Sequence, residues 1–183
     1  MSRDSKNKSQ PHVLIELRPS GISGIGVFAV RNVRKGQKVA DGLYAEDFKT
    51  LVPWENYKRF DASVRRKIDA FCIGTPKGFV PPDDLDFNKL SVEWYFNHSC
   101  DGNVGFSLDG DFIAIKKIAK DTELTYDYAI AESNPRFQMR CKCRSKTCRR
   151  IITGNDWKQE KLRRDKGSYM LPQLRRLAGT DGG

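Results

Sequence analysis

No apolar run in the chain approaches the ~20 residues that a membrane-spanning helix needs, so no membrane partner is expected. The first ten residues, Met1 to Gln10, are polar and lack the apolar stretch of a secretory signal. A cytosolic or nuclear location is therefore expected. No internal repeat stands out. Cysteine is scarce, at five residues, and in an intracellular chain these point to a metal or to reduced thiols rather than disulfides. With 183 residues the chain has room for one domain with a proper core and too little for two.

Hydrophobic residues make up 38% and charged residues 31%, ordinary values for a soluble globular protein. The net charge of +10 is unevenly placed. Between Arg136 and Arg176 stand 14 Lys/Arg against Asp156, Glu160 and Asp165, a local +11, while the rest of the chain nets −1. Such a region attracts nucleic acid or an acidic protein surface, or is simply a solvated face.

Most of the chain reads as short strands: Val13–Leu17, Ile25–Val30, and the pair Val104–Leu108 and Phe112–Lys116. The last two flank Asp109-Gly110, a hairpin signal, because turns that match strand twist need positive φ. Residues 54–72 differ. Trp54, Tyr57, Val64, Ile68 and Phe71 recur at helical spacing, with Asp61 in an inward slot as a candidate break. Pro81-Pro82-Asp83-Asp84 predicts a loop and Asp156 to Arg164 a basic helix. Many short strands with a helical insert predict a β-rich α+β domain.

Three segments carry chemistry. Cys141, Cys143 and Cys148 lie within eight residues, and Cys141 and Cys143 are too close for a relaxed disulfide. Converging thiolates suit tetrahedral zinc, which requires a fourth ligand; Cys72, Cys100, His98 and His12 are the candidates that spacing leaves open. Asn97-His98-Ser99-Cys100 is an odd polar run for a core, read either as a hydrogen-bonded turn or as a site. Glu123 to Tyr128 places Tyr126 and Tyr128 on one face of a strand, as an aromatic core pair or as catalytic groups.

Taken together, these segments resemble the SET family of lysine methyltransferases from about Leu17 to Trp157. Gly24-Ile25-Gly26-Val27-Phe28-Ala29 is similar to the family's Gly-x-Gly motif, and Asn97-His98-Ser99-Cys100 to its Asn-His-Ser-Cys signature. Glu123 to Tyr128 is similar to its Glu-Leu-Thr-(Phe/Tyr)-Asp-Tyr motif, and the three late cysteines to its post-SET Cys-x-Cys-x4-Cys. Residues 151–157 are most similar to small stand-alone, often bacterial, members. Departures are Asp101-Gly102 where the family has x-Pro, Trp94-Tyr95 where it often has Arg-Phe, and Arg144 and Arg150 where it has Gly.

The resemblance implies a SET fold of small curved sheets with a knot-like crossing of the two polar motifs, closed by a zinc-bound post-SET loop. It implies a leader over 1–11, a SET domain over 12–135 with its helical insert at about 54–72, a zinc segment over 136–157 and a basic extension over 158–183. It makes Cys100 the fourth zinc ligand beside Cys141, Cys143 and Cys148, and Cys72 an ordinary buried thiol. S-adenosylmethionine is the implied cofactor, near Gly24, Ile25, Gly26, Val27, Asn97, His98, Tyr128 and Trp157. Tyr128 is the implied catalytic tyrosine, Tyr126 the residue limiting product methylation, and Tyr44 the candidate for an N-terminal channel tyrosine. The implied activity is methyl transfer to a lysine of a basic, histone-like protein, with monomethylation favoured. The competing readings are a non-catalytic zinc module binding nucleic acid through the basic region, and a scaffold that binds the cofactor without turnover.

Overall fold

The computed structural model describes residues 13–82 and 85–179. The expected leader over 1–11, the Asp83-Asp84 half of the predicted loop and the tail beyond Gly179 lie outside the described residues. Strands β1 (Ile15–Pro19) and β2 (Ile25–Ala29) form an antiparallel pair in which Leu17 faces Val27. The turn between them closes because Ser20 N donates to Gly24 O at 2.9 Å, and Ser20 Oγ accepts from Ile22 N and Ser23 N. Gly24, at φ +48°, takes the left-handed conformation that a side chain disfavours.

After β3 (Lys38–Ala40) comes the predicted helical insert, which is in two pieces flanked by short strands. Strand β4 (Val52–Pro53) leads into α1 (Trp54–Tyr57), and α2 (Ala62–Phe71) is followed by β5 (Ile73–Gly74) and β6 (Gly78–Val80). Asp61 makes the break: its backbone is extended and its carboxylate accepts from Ser63 N and Val64 N, capping α2. The inward slot that interrupts the apolar spacing is thus a helix start.

The rest of the chain supplies β7 (Asn97–His98), β8 (Val104–Phe106), β9 (Phe112–Ala114), β10 (Glu123–Tyr126), β11 (Gln138–Arg140) and β12 (Ile151–Thr153), then α3 (Glu160–Lys166) and α4 (Pro172–Ala178). The β8–β9 hairpin is present, but its loop runs over residues 107–111 instead of the tight two-residue turn that Asp109-Gly110 suggests. Ser107 Oγ accepts from Asp109 N and Asp111 N, and Gly110 sits at φ +105°. The basic helix begins later than predicted: a 3-10 turn occupies Asp156–Lys158 before α3.

The strands make four small sheets, ordered β1-β2-β10-β7, β3-β9-β8, β4-β6-β5 and β11-β12. The fold is a β-rich α+β arrangement, as expected. Its core joins Val27, Phe96, Val104, Phe106, Phe112, Leu124 and Ile130 from the sheets to Leu162, Met170, Leu171 and Leu174 from the C-terminal helices. The C-terminal helices therefore contribute to the core, and Leu171 N donates to Ile130 O at 2.8 Å. None of the helices among the described residues is long and apolar enough to cross a membrane.

Candidate active site and metal centre

The two odd polar segments lie side by side. Strands β7 and β10 pair in parallel, with Asn97 opposite Thr125 and His98 opposite Tyr126. Strand β10 ends at Tyr126, and Tyr128 stands in the following 3-10 turn, Tyr128–Ile130. The two rings meet at 4.8 Å because of this turn, and not through strand alternation as the sequence predicts. Asp127 caps the turn by accepting from Ala129 N. Tyr128 N donates to His98 Nδ1 at 3.1 Å, and Tyr128 Oη donates to Phe96 O at 3.1 Å. The Tyr126 ring packs on Phe106 and Phe112. Burial pushes both phenols well above their ordinary value, so both stay protonated near neutral pH.

Two hollows meet at Tyr128. A wide cleft of about 670 Å³ runs past Ile22, Ser23, Asn97, His98, Asn134 and Arg140. A narrow cavity of about 50 Å³ is walled by Leu43, Phe71, Trp94, Phe96, Phe112 and Tyr126. Tyr128, Cys72, Glu132 and Phe137 line both. Cys72, expected to be an ordinary buried thiol, is half-buried in the wall of both hollows, and burial pushes its thiol up. Glu132 and Phe137 carry no motif signal; only the tertiary arrangement brings them here.

Not all of the residues assigned to the cofactor line the cleft. Ile22 and Ser23 of the turn line the cleft, whereas Gly24, Ile25, Gly26 and Val27 are not among its lining residues. Ile25 is exposed and Val27 lies in the core. A Cβ on Gly26 would stand 2.2 Å from Glu123 Oε1 and 3.1 Å from Asn97 Nδ2, so this glycine clears space for the protein's own side chains. Asn97 Nδ2 donates to Ser23 O, Ile25 O and Glu123 Oε1, tying the turn to β10. Trp157 packs against the core and is not a lining residue of the cleft. Tyr44 is spent at the hairpin tip, where its hydroxyl donates to Asp111 Oδ1 at 2.5 Å.

The four cysteines Cys100, Cys141, Cys143 and Cys148 converge, their Sγ atoms all within 4.8 Å of one another. Cys100 Sγ and Cys141 Sγ are 3.8 Å apart, which matches the ~3.8 Å edge of a tetrahedron with ~2.3 Å zinc–sulfur bonds. Arg149 N, Cys143 N and Arg150 N each donate at 3.4 Å to a cysteine sulfur, the donor set expected around thiolates. These residues fit a tetrahedral zinc, with Cys100 reaching in from the Asn-His-Ser-Cys segment. His98 Nε2 lies 3.4 Å from Cys100 Sγ while Nδ1 accepts from Tyr128 N. Both ring nitrogens are thereby engaged, and the imidazole bridges the cysteine cluster to the Tyr128 turn.

A second bridge runs through Asp127. Arg149 binds its carboxylate with both terminal nitrogens, at 2.8 and 2.5 Å, and places Nε on Asp156 Oδ2 at 2.9 Å. Lys166 of α3 adds Nζ to Asp127 Oδ2 at 2.6 Å and to Cys100 O at 2.7 Å. Burial opposes ionisation of Asp127, and Arg149 and Lys166 overcome it, holding the carboxyl below its ordinary value. A buried carboxylate so paired fixes the backbone between the two tyrosines.

This fold, with its paired motifs and tyrosine-lined hollows, defines a SET domain. The SET domain family model matches residues 24–129, more than half of the chain, and the chain belongs to that family of protein methyltransferases. It is also similar to the histone-lysine N-methyltransferase ash1 of Drosophila melanogaster, at 27% identity over 140 residues, or 71% of this chain. The chain spans about 6% of the length of that curated relative.

Proposed function

We propose that this protein transfers a methyl group from S-adenosylmethionine to a lysine side chain of a protein substrate, with monomethyl-lysine as main product. The observation that carries the reading is the meeting of the wide cleft and the narrow aromatic cavity at Tyr128. The cleft suits a cofactor-sized ligand, and the cavity suits one amine with its methyl. Ile22, Ser23, Asn97, His98 and Tyr128 would hold the cofactor, which supplies an electrophilic methyl when bound. His98 and Asn97 act chiefly through position, since the nitrogens of both side chains are committed within the protein. Tyr128, a neutral phenol anchored on Phe96 O, orients the amine through its oxygen and is not its base. Phe96, Phe112 and Trp94 strip water from the lysine, which disfavours the ammonium form, and hold nitrogen and methyl in line. Zinc on Cys100, Cys141, Cys143 and Cys148 would pin the C-terminal loop to the β7 segment.

Incubation with labelled cofactor and a panel of basic proteins, followed by mass-spectrometric mapping, tests the reading. Stoichiometric label on lysine is the expected result, and label on no residue would overturn it.

A second reading adds a nucleic-acid contact. Arg136, Arg140, Lys142, Arg144, Lys146 and Arg150 are all exposed on the segment beside the cleft. Retention on labelled duplex DNA that falls steeply with salt is its signature; salt-independent or absent retention removes it.

A further inference from the structure

Glu132 is a buried carboxylate in the site without a counter-ion. It is 6% exposed and lines both hollows. Its oxygens accept from Gly74 N at 2.8 Å and Asn134 N at 2.7 Å, which fixes the carboxylate between the helical insert and the segment after the tyrosine motif. These are neutral donors, and no ion pair to Glu132 is present among the described residues. The comparison with Asp127, five residues earlier, is direct: that buried carboxylate has two cations on it. A buried carboxylate without a cation is costly, and one that walls a cavity for a cationic side chain is a receptor waiting for its charge.

The groups facing it do not compensate. From α2 and its end come Asp69 and the Cys72 thiol, and from β10 and its turn the two neutral phenols of Tyr126 and Tyr128. Glu93 lines the same narrow cavity from the turn before β7. Lys58, Arg136 and Arg140 stand on the wall of the wider cleft without pairing to it. Glu132's negative charge reaches Tyr126, whose ionisation it opposes, so the carboxylate and the phenol share one electrostatic environment.

We propose that Glu132 receives the ammonium of the target lysine where the two hollows meet and takes its proton before methyl transfer. The inference rests on the lysine-methylation reading above. In this step an N–H bond of the ammonium breaks, its electron pair stays on nitrogen, and an O–H bond forms on the Glu132 carboxylate. The freed pair would then form the N–methyl bond as the sulfur–methyl bond of the bound donor breaks, its pair staying on sulfur, and Glu132 later returns its proton to solvent. Desolvation pushes the Glu132 carboxyl up to about 7, against the hydrogen bonds from Gly74, Asn134 and Ser133 that pull it down, which matches a base to neutral pH.

The pH profile decides the matter. Wild-type kcat/KM is expected to be bell-shaped, with a lower limb near pH 7 from Glu132 and an upper limb near ~10 from the lysine. In Glu132→Gln the lysine must arrive already neutral. Activity at pH 7.5 should fall on the order of a hundredfold, and log rate should climb steadily with pH without the limb near 7. A Glu132→Gln enzyme with the wild-type profile and rate overturns the proposal while leaving lysine methylation intact. If the wild type methylates no lysine at all, the parent reading fails and this one with it.

A second measurement avoids the mutant. With ¹³C-labelled glutamate in the wild-type protein, Glu132 should titrate lower when a substrate lysine peptide binds, and should not do so with the norleucine analogue. An unchanged titration with both peptides equally overturns the assignment.

Discussion

Tyr128 is held at both ends of the residue: its amide on His98 Nδ1 and its hydroxyl on Phe96 O. Tyr128→Phe removes the hydroxyl and almost no volume. The ring stays packed against Tyr126 and His98, so the melting temperature should change little. The kcat should fall on the order of a hundredfold, as for loss of one positioned polar contact, with cofactor affinity nearly kept. Steady-state kinetics beside cofactor titration measures both; equal kcat in mutant and wild type removes Tyr128 from its role. Tyr126 belongs to the narrow cavity alone. On the proposed reading, its hydroxyl would occupy space that a methylated amine needs to rotate for a second transfer, and would hydrogen-bond the amine. Tyr126→Phe should shift product from monomethyl toward di- and trimethyl-lysine without loss of the first transfer, read by mass spectrometry at matched turnover. Trimethyl-lysine as the main wild-type product would sink this assignment. Both tyrosines were legible in the sequence as a pair. Glu132 was not, because an acid earns a role only from the cavity it faces, and cavities are made by residues distant in the chain.

At the scale of elements, the cysteine loop holds the clearest tests. Cys100 comes from the β7 segment and the other three sulfurs from the loop before β12. Replacing Cys100 by serine should reduce bound zinc, measured by elemental analysis, as much as replacing Cys148. A Cys72→Ser change should leave zinc intact, since Cys72 lies outside the cluster. Greater zinc loss from Cys72→Ser than from Cys100→Ser would refute the ligand set. The same loop explains two departures from the family pattern. Arg144 and Arg150 stand where the pattern this chain resembles has glycine, and both adopt positive φ, at 56° and 69°. A side chain there costs about 1 kcal/mol or more, partly offset by glycine's greater freedom in the unfolded chain. Both arginine side chains are exposed, so trimming them leaves no cavity. Arg144→Gly and Arg150→Gly should each stabilise the loop by a few tenths to about 1 kcal/mol, seen as slower zinc loss to a chelator. Faster loss in both would mean that the side chains contribute more than the strained backbone costs. The helical insert shows the opposite relation. Its apolar spacing gave the right type of element, and Asp61, an apparent misfit, marked the boundary by capping α2.

In the whole molecule, apolar side chains of the C-terminal basic stretch are part of the core. Leu162, Met170, Leu171 and Leu174 are buried with the sheet residues, and Lys166 reaches Asp127 between the two tyrosines. Truncation after Lys158 removes four core side chains at about 2–5 kcal/mol each, comparable to the ~5–15 kcal/mol net stability of a typical domain. The truncated chain should lack a cooperative thermal transition in near-UV circular dichroism. A transition within a few degrees of the full chain would show these helices to be an appendage. Charge composition alone hid this, since a run of Lys and Arg reads as a solvated face while the leucines between them point inward.

The class of fold, the order of the motifs, the cysteine triad and the tyrosine pair are legible from local patterns, because the chemistry of each is carried by neighbours in the chain. Tertiary structure decided the rest. It brought Cys100 to the other three sulfurs. It set Gly26 so close to Glu123 and Asn97 that a Cβ there would meet their side chains. It moved Trp157 and Tyr44 out of the site's lining, and it set Glu132 between two hollows without a counter-ion. Each of these depends on which distant atoms lie within a few ångströms, and a parallel pairing across 28 residues, from Asn97 to Thr125, leaves no trace in local spacing.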